Sequence, residues 1–192
     1  VVRSEPSSLF ECTVQALESV QQQLLEGIEI EFNLSAKNKV SINRQSLVRV
    51  VTNIVANAAE VMDKPGKISL RSHDATPSTI VFQIHNTGSQ IAKLDIPLLF
   101  EPSYTKGKEN GTGLGLAIVK KLLSEANATV RCESDEDGTT FEIVLQKTDL
   151  TESPVKTLHT AQRERGAPLH PTNPVVLIVD DDPFMLEAWR ET

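Results

Sequence analysis

The sequence predicts an α+β two-layer sandwich. Three observations lead there: the elements run helix, strand, helix, two strands, helix, two strands; the paired strands are separated by hairpin-length turns; and the helices carry apolar stripes able to cover one face of a sheet. In residues 7–25, Leu9, Val14, Leu17, Val20, Leu24 and Leu25 fall at mostly helical intervals, and Gly27 supplies a stop. "IEIEFNL" (28–34) alternates strictly, as a half-buried strand does. From Arg44 to Met62, a three-four rhythm of Leu47, Val50, Val51, Ile54, Val55, Ala58 and Met62 makes one continuous stripe, ended by Pro65 and Gly66. "KISLRS" (67–72) and "TIVFQIH" (79–85) read as a hairpin around "HDATPS". A loop with a short helix then runs through "IAKLDIPLLF" into the polar stretch "EPSYTKGKEN". Beyond the glycine-rich "GTGLG", Leu114, Ile118, Val119, Leu122, Leu123 and Ala126 mark a third helix. "TVRCES" and "TFEIVLQ" form a second hairpin around "DEDG".

The composition fits a chain that buries an aliphatic core in water: 39% hydrophobic, 23% charged and only 4% aromatic over 192 residues. A formal charge of −7 offers a nucleic-acid backbone no general attraction. No apolar run approaches the roughly 18 to 20 residues of a membrane span, "PVVLIVD" being the densest. Cys12 and Cys132 lack metal-ligand spacing and make no disulfide framework, which favours a reducing cytoplasm. The chain begins without Met and reads as an excised piece, so its parent is open to membrane anchoring outside it.

Near Thr148 the composition changes. Residues 148–173 hold Pro154, Pro168 and Pro171 among polar residues without a sustained period, and read as a linker. Residues 174–192 give a fully apolar strand, three aspartates and the first turns of a helix; these are the start of a second domain, since one strand and part of a helix bury no core.

Two features carry chemistry. Gly111, Gly113 and Gly115 lie within five positions ahead of a helix. The spacing and the polar loop before it do not fit a dinucleotide fingerprint, and no Lys-Ser/Thr pair follows to make a Walker loop. A flexible loop whose amides turn toward an anion, feeding a helix start, suits phosphate; a hinge that only caps the helix suits the same glycines. In the long helix, Asn53, Asn57 and Glu60 share one face at i, i+4 and i+7. Mid-helix asparagines lower helix propensity, and a neutral amide oxygen suits a Mg2+ ion already bridging phosphates, although a solvated polar face would read the same way.

In order, "NIVANAAEVM" (53–62), "IHNTGSQI" (84–91), "LFEPSYTK" (99–106), "GTGLGLAIVKKLL" (111–123) and the closing "GTTFEIVLQ" resemble the N, G1, F and G2 boxes of the ATP-binding catalytic domain of sensor histidine kinases. The resemblance covers approximately residues 28–146. It implies the Bergerat-type ATP fold, a mixed five-stranded sheet covered on one face by three helices, with ATP and Mg2+ as cofactors. By that pattern Asn57 coordinates Mg2+ and Asn53 approaches the phosphates. Glu60 is the one possible catalytic side chain, its role open. Phe100 anchors a lid; Thr105, Lys106, Lys108, Gly111, Thr112, Gly113, Leu114 and Gly115 line or hinge it; Lys106 or Lys108 approaches the γ-phosphate.

The G1 box departs from the family pattern, where an Asp is followed by Asn-Gly-x-Gly. Asn86, Thr87, Gly88, Ser89 and Gln90 occupy those places. In relatives the Asp accepts a hydrogen bond from the adenine amino group; Asn86 accepts without charge assistance, a weaker contact. Position 53 carries a glutamate in the gyrase, Hsp90 and mismatch-repair relatives, where it activates water. An asparagine is no such base, which favours phosphoryl transfer to a protein over hydrolysis.

The tail "VVLIVDDDPFMLEAW" resembles the first strand and helix of a receiver domain, in which Asp180 and Asp181 would help bind Mg2+. The resemblance therefore implies a hybrid kinase, divided into the end of a dimerisation helix or connector (1–27), catalytic domain (28–147), linker (148–173) and receiver start (174–192). The parent phosphorylates a protein histidine, then a receiver aspartate. Its partners are its own dimerising phosphoacceptor domain, in a homodimer, and a receiver or response regulator. None of His73, His85, His159 and His170 sits in an acceptor setting. A degenerate, non-catalytic module of the same fold is the alternative.

Overall fold

The computed structural model describes residues 6–34, 39–62, 64–88, 90–104 and 113–148, and the backbone of 176–178. A short strand β1 (Ser7–Ser8) leads into helix α1 (Leu9–Ser19), whose first turn is capped by the Ser8 hydroxyl accepting from the Glu11 amide. A one-turn helix α2 (Gln22–Leu25) precedes β2 (Ile28–Asn33), and β3 (Lys39–Val40) precedes the long helix α3 (Arg44–Val61), capped by Asn43 accepting from the Ser46 amide at 2.8 Å. Then come β4 (Gly66–Thr76), β5 (Thr79–Thr87), a 3-10 turn (Ile96–Leu98), α4 (Gly115–Glu125), β6 (Thr129–Asp135), β7 (Gly138–Gln146) and β8 (Val176–Ile178).

The five expected strands lie in the order β6-β7-β5-β4-β2. β2 runs parallel to β4 and the remaining neighbours among these five are antiparallel, so the sheet is mixed as expected. A crossover through α3 makes the parallel pair possible, because a hairpin cannot. β8 adds to the open edge of β2 in parallel, Ile30 opposite Val176. The expected apolar strand of the tail thus forms, on an edge that would otherwise present unpaired amides and carbonyls.

One face of the sheet is covered by α1, α3 and α4, with α3 in the middle. Alternation places Ile28, Ile30 and Phe32, Ile68 and Leu70, Ile80, Phe82 and Ile84, and Phe141, Ile143 and Leu145 under these helices, all buried. Every residue of the α3 stripe read from sequence is buried, with Ala59 added. The opposite face is polar: Lys67 bridges Glu29 and Glu31 at 3.1 and 3.0 Å, and Arg131 pairs with Glu142 at 2.8 Å.

Helix α1 differs from its sequence reading in two ways. The helix breaks at Val20, which is extended, and Gln21, which is non-helical, instead of continuing to Leu25. Its buried face is Leu9, Cys12, Thr13 and Ala16, while Val14 and Leu17 are only half-buried. Small side chains face α3, letting the two helices approach closely. Leu9, Cys12, Ala16, Val20 and Leu25, within the stretch 1–27 expected to be the end of a dimerisation helix or connector, share the core of the strands.

At the base of the domain the Ser7 hydroxyl donates to the Ile42 carbonyl at 2.7 Å and β1 pairs with β3. The Thr148 amide donates to the Lys39 carbonyl at 3.0 Å, so entry and exit of the chain meet on the same two-residue strand. Among the described residues, no helix is long and apolar enough to cross a membrane.

Candidate phosphate and base site

Helix α4 starts directly against α3. A β-carbon placed on Gly115 would lie 3.9 Å from both Cγ and Oδ1 of Asn53, ordinary contact distance, so the first turn of α4 faces the Asn53 side chain. The N-cap of α4 is Leu114, which has no side-chain acceptor to offer the first amides. A helix start left uncapped in this way presents N–H donors and the positive end of the helix dipole. The Asn53 amide nitrogen is buried and, among the described residues, has no hydrogen-bond partner. Leaving such a donor unsatisfied costs about 1 to 3 kcal/mol, which an acceptor placed at the junction would recover.

Asn57 lies one turn further along α3 and is half-buried; Glu60 is exposed. At about 1.5 Å per residue, α3 runs roughly 14 Å from Asn53 to its C-cap at Met62. There the Met62 sulfur accepts from the Thr87 hydroxyl at 3.7 Å, and that hydroxyl accepts from the Lys67 amide at 3.0 Å. The far end of α3 is thereby fixed beside the end of β5.

Asn86 occupies the last helix-facing position of β5, after Ile80, Phe82 and Ile84, and is 2% exposed. Its amide nitrogen donates to the Thr87 carbonyl at 3.4 Å, long for such a bond. Opposite Asn86 on β7 stands Thr139, also buried, whose hydroxyl pairs with that of Ser134 at 2.8 Å. Ser134 accepts from the Ile91 amide at 2.9 Å and donates to the Gly138 carbonyl, tying the loop beyond Gly88 to the sheet. Among the described residues other than its chain neighbours, no atom lies within 4 Å of a β-carbon placed on Gly88, and Gln90 is exposed.

Thr139 and Ser134 were not singled out from sequence. The available signal was parity: Thr139 precedes Phe141, Ile143 and Leu145 at steps of two, and so points inward.

Gly113 holds the other end of the site. Its carbonyl accepts from the Ser103 amide at 3.1 Å, and its φ is +63°. A β-carbon there would come within 2.5 to 2.8 Å of the Ser103 and Tyr104 backbone, so only glycine fits. The ring of Phe100 stands edge-on to Phe141 with centroids 6.3 Å apart, fixing the segment before Ser103 onto the core. Thr105, Lys106, Lys108, Gly111 and Thr112, like Asp180 and Asp181, lie outside the described residues. Leu114 is 45% exposed, because it precedes the helix instead of joining its buried face.

Neither cysteine belongs to the site. Burial raises the Cys12 thiol and pushes Cys132 up to about 12, which keeps both protonated. His85 sits on the open face, its Nδ1 3.0 Å from the Thr140 hydroxyl.

A family model described as histidine kinase-, DNA gyrase B-, and HSP90-like ATPase matches residues 42–149. Among curated proteins, the sensor histidine kinase GlnK of Bacillus subtilis is 29% identical over 72% of this chain and 35% of its own length. The autoinducer 2 sensor kinase/phosphatase LuxQ of Vibrio parahaemolyticus is 29% identical over 98% of this chain and 24% of its own. The chain thus spans about a third or less of the length of these relatives. Among solved structures, the mycobacterial sensor histidine kinase MprB superposes with a TM-score of 0.69 at 28% identity, covering 75% of this chain and 97% of that one. The catalytic domain of the histidine kinase ThkA gives 0.66 at 26% identity, covering 74% and 94%.

Proposed function

The chain belongs to the family of histidine kinase-, DNA gyrase B-, and HSP90-like ATPases, and on that premise we propose that it carries the ATP-binding catalytic domain of a hybrid sensor histidine kinase. The observation that carries the reading is the junction of Asn53 with the uncapped start of α4. A buried amide donor with no acceptor among the described residues, beside a helix start without a side-chain cap, fits a polyanion, and ATP supplies one.

The triphosphate lies against Asn53, Gly115 and the α4 start, with Thr105, Lys106, Lys108, Gly111 and Thr112 contributed by the segment that Ser103 and Gly113 anchor. The base lies toward Asn86 and Gly88. Among the described residues no three His, Cys, Asp or Glu side chains gather to hold a metal. A Mg2+ ion would be held by the phosphates and by the neutral oxygen of Asn57, where it would offset phosphate charge.

The residues of the chain then act by placement. Asn53 and the α4 amides hold the phosphates where charge develops during transfer, and the Phe100–Phe141 contact fixes one end of the covering segment. An amide at position 53 orients but accepts no proton from water, so the γ-phosphate goes to a protein histidine and from there to a receiver aspartate. The acceptor lies on a dimerising phosphoacceptor domain of a homodimeric parent. The LuxQ similarity, which extends over 98% of this chain, supports reading residues 174–192 as a receiver start, in which Asp180 and Asp181 would bind Mg2+. A structure of ThkA in complex with the response regulator TrrA supports a regulator as partner.

Calorimetric titration with a Mg2+-bound, non-hydrolysable ATP analogue tests the reading. Binding in the micromolar to millimolar range is expected. The Asn86 departure favours one second reading, a non-catalytic interaction module, and the absence of heat at millimolar analogue would establish it instead. Phosphate release proportional to the amount of this chain, without an added histidine domain, would replace transfer with hydrolysis.

A further inference from the structure

We infer that the base pocket accepts guanine nearly as well as adenine, because its floor is read by a carboxamide in uncharged surroundings. The inference rests on the nucleotide-binding reading above and specifies the substrate class of that site as purine nucleoside triphosphates.

A carboxylate only accepts hydrogen bonds. It takes one from the 6-amino group of adenine and repels the 6-oxo group of guanine. A carboxamide has an oxygen and an NH2 of nearly equal size, and turning it by half a revolution exchanges acceptor for donor. Among the described residues the Asn86 amide nitrogen is committed only to the Thr87 carbonyl at 3.4 Å, at the weak end of hydrogen bonding, so the turn gives up a weak bond and sets the amide oxygen toward that carbonyl at long range. Its oxygen then receives the adenine amino group, or its NH2 donates to guanine O6.

The surroundings do not restore the lost selectivity. Among the described residues no charged side chain is buried, and the buried polar partner across the strands is the hydroxyl-bearing Thr139. The protons of this hydroxyl pair can be arranged in two ways: with Ser134 donating to the Gly138 carbonyl, Thr139 donates to Ser134 and can only accept from a base, and with Ser134 donating to Thr139, the Thr139 proton turns away from Ser134. Ser134 holds that hydroxyl in place at 2.8 Å, so the floor is a fixed hydroxyl beside a reversible amide. Among the described residues other than its chain neighbours, nothing lies within 4 Å of a β-carbon position at Gly88, which leaves room at the strand exit for the extra 2-amino group of guanine.

The test compares Mg2+-bound, non-hydrolysable ATP and GTP analogues on the full 192-residue chain by calorimetry, with Asn86→Asp as the second protein. The wild-type chain is expected to bind the two with dissociation constants within about thirtyfold of each other. The charge-assisted bond in Asn86→Asp should move the ratio toward ATP by roughly ten- to a hundredfold. If the ATP analogue binds and the GTP analogue is weaker by more than thirtyfold, the inference is overturned while the nucleotide-binding reading stands. If neither binds, both fall. The wild-type ratio decides even if Asn86→Asp fails to fold, which a thermal melt of the variant will reveal. A folded Asn86→Asp with an unchanged ratio also overturns the role given to Asn86.

Discussion

Gly138 opens β7 at φ +144°, and a β-carbon on it would fall 1.9 Å from the Asn86 carbonyl oxygen and 2.9 Å from its carbon. The Gly138→Ala substitution therefore combines two costs. The backbone conformation is one that side-chain-bearing residues rarely hold, worth about 1 to 3 kcal/mol. The contact is with ladder backbone that cannot swing aside, and overpacking of that kind costs about 1 to 3 kcal/mol more. The sum, roughly 2 to 6 kcal/mol, is a large part of the 5 to 15 kcal/mol typical of a domain. With a urea m-value of about 1 to 3 kcal/mol/M, the unfolding midpoint should fall by on the order of 1 to 3 M. Gly115→Ala is the matched comparison, since that backbone is helical and the new methyl meets Asn53 at an ordinary 3.9 Å. It should leave the midpoint unchanged or raise it by up to about 1 kcal/mol of stability through helix propensity. Equal midpoints for the two variants in urea melts followed by circular dichroism would refute the close approach of β7 to Asn86.

Replacing Asn53 by leucine should stabilise the nucleotide-free chain by about 1 kcal/mol or more, because it removes the unsatisfied amide. The same variant should lose nucleotide binding in calorimetry; lower stability together with retained binding would contradict its role. Gly113→Ala should abolish slow exchange of the Ser103 amide, which donates to the Gly113 carbonyl, and weaken nucleotide affinity at least about tenfold if the anchored segment covers the phosphates. Hydrogen exchange and calorimetry read the two effects separately. Acid should unfold the domain partly through Glu31 and Glu142, whose carboxyls are held below the ordinary value of 4.5 by hydrogen bonds from Lys67 and Arg131 respectively. A depressed folded value means their contribution is complete above 4.5 and is lost as pH falls through the folded value, so stability should begin to drop as pH falls below about 4.5. Glu142→Gln should flatten part of the drop in pH-dependent urea melts.

Much of the fold could be read from sequence because periodicity and burial agree. The α3 stripe combines large aliphatic residues with a helical rhythm, and all seven residues named for it are buried. The sheet strands alternate cleanly because one face is packed and the other wet. α1 was harder to read. Its inward face is made of Cys12, Thr13 and Ala16 beside Leu9, side chains that a search for large apolar residues undervalues. The end of the first hairpin was also hidden: β4 runs on to Thr76 through exposed polar residues, held by ladder bonds and not by burial. Two-residue strands such as β1 and β3 are shorter than any pattern window.

The site divides in the same way. Asn53 and Gly115 are far apart in sequence, and their contact follows from the packing of α4 on α3, which no local spacing encodes. Asn86 was visible as a departure from a motif. Its cross-strand partner Thr139 and the Ser134 hydroxyl behind it emerge only once the register of β5, β7 and β6 is known.

The proposed site places nucleotide phosphates between Asn53 and the start of α4. It is tested most directly by following amide signals by NMR while a Mg2+-bound ATP analogue is added. The side-chain NH2 of Asn53 and the backbone amides of Gly115 and Leu116 should shift early and strongly. Saturable binding that leaves those three unmoved would contradict the claim.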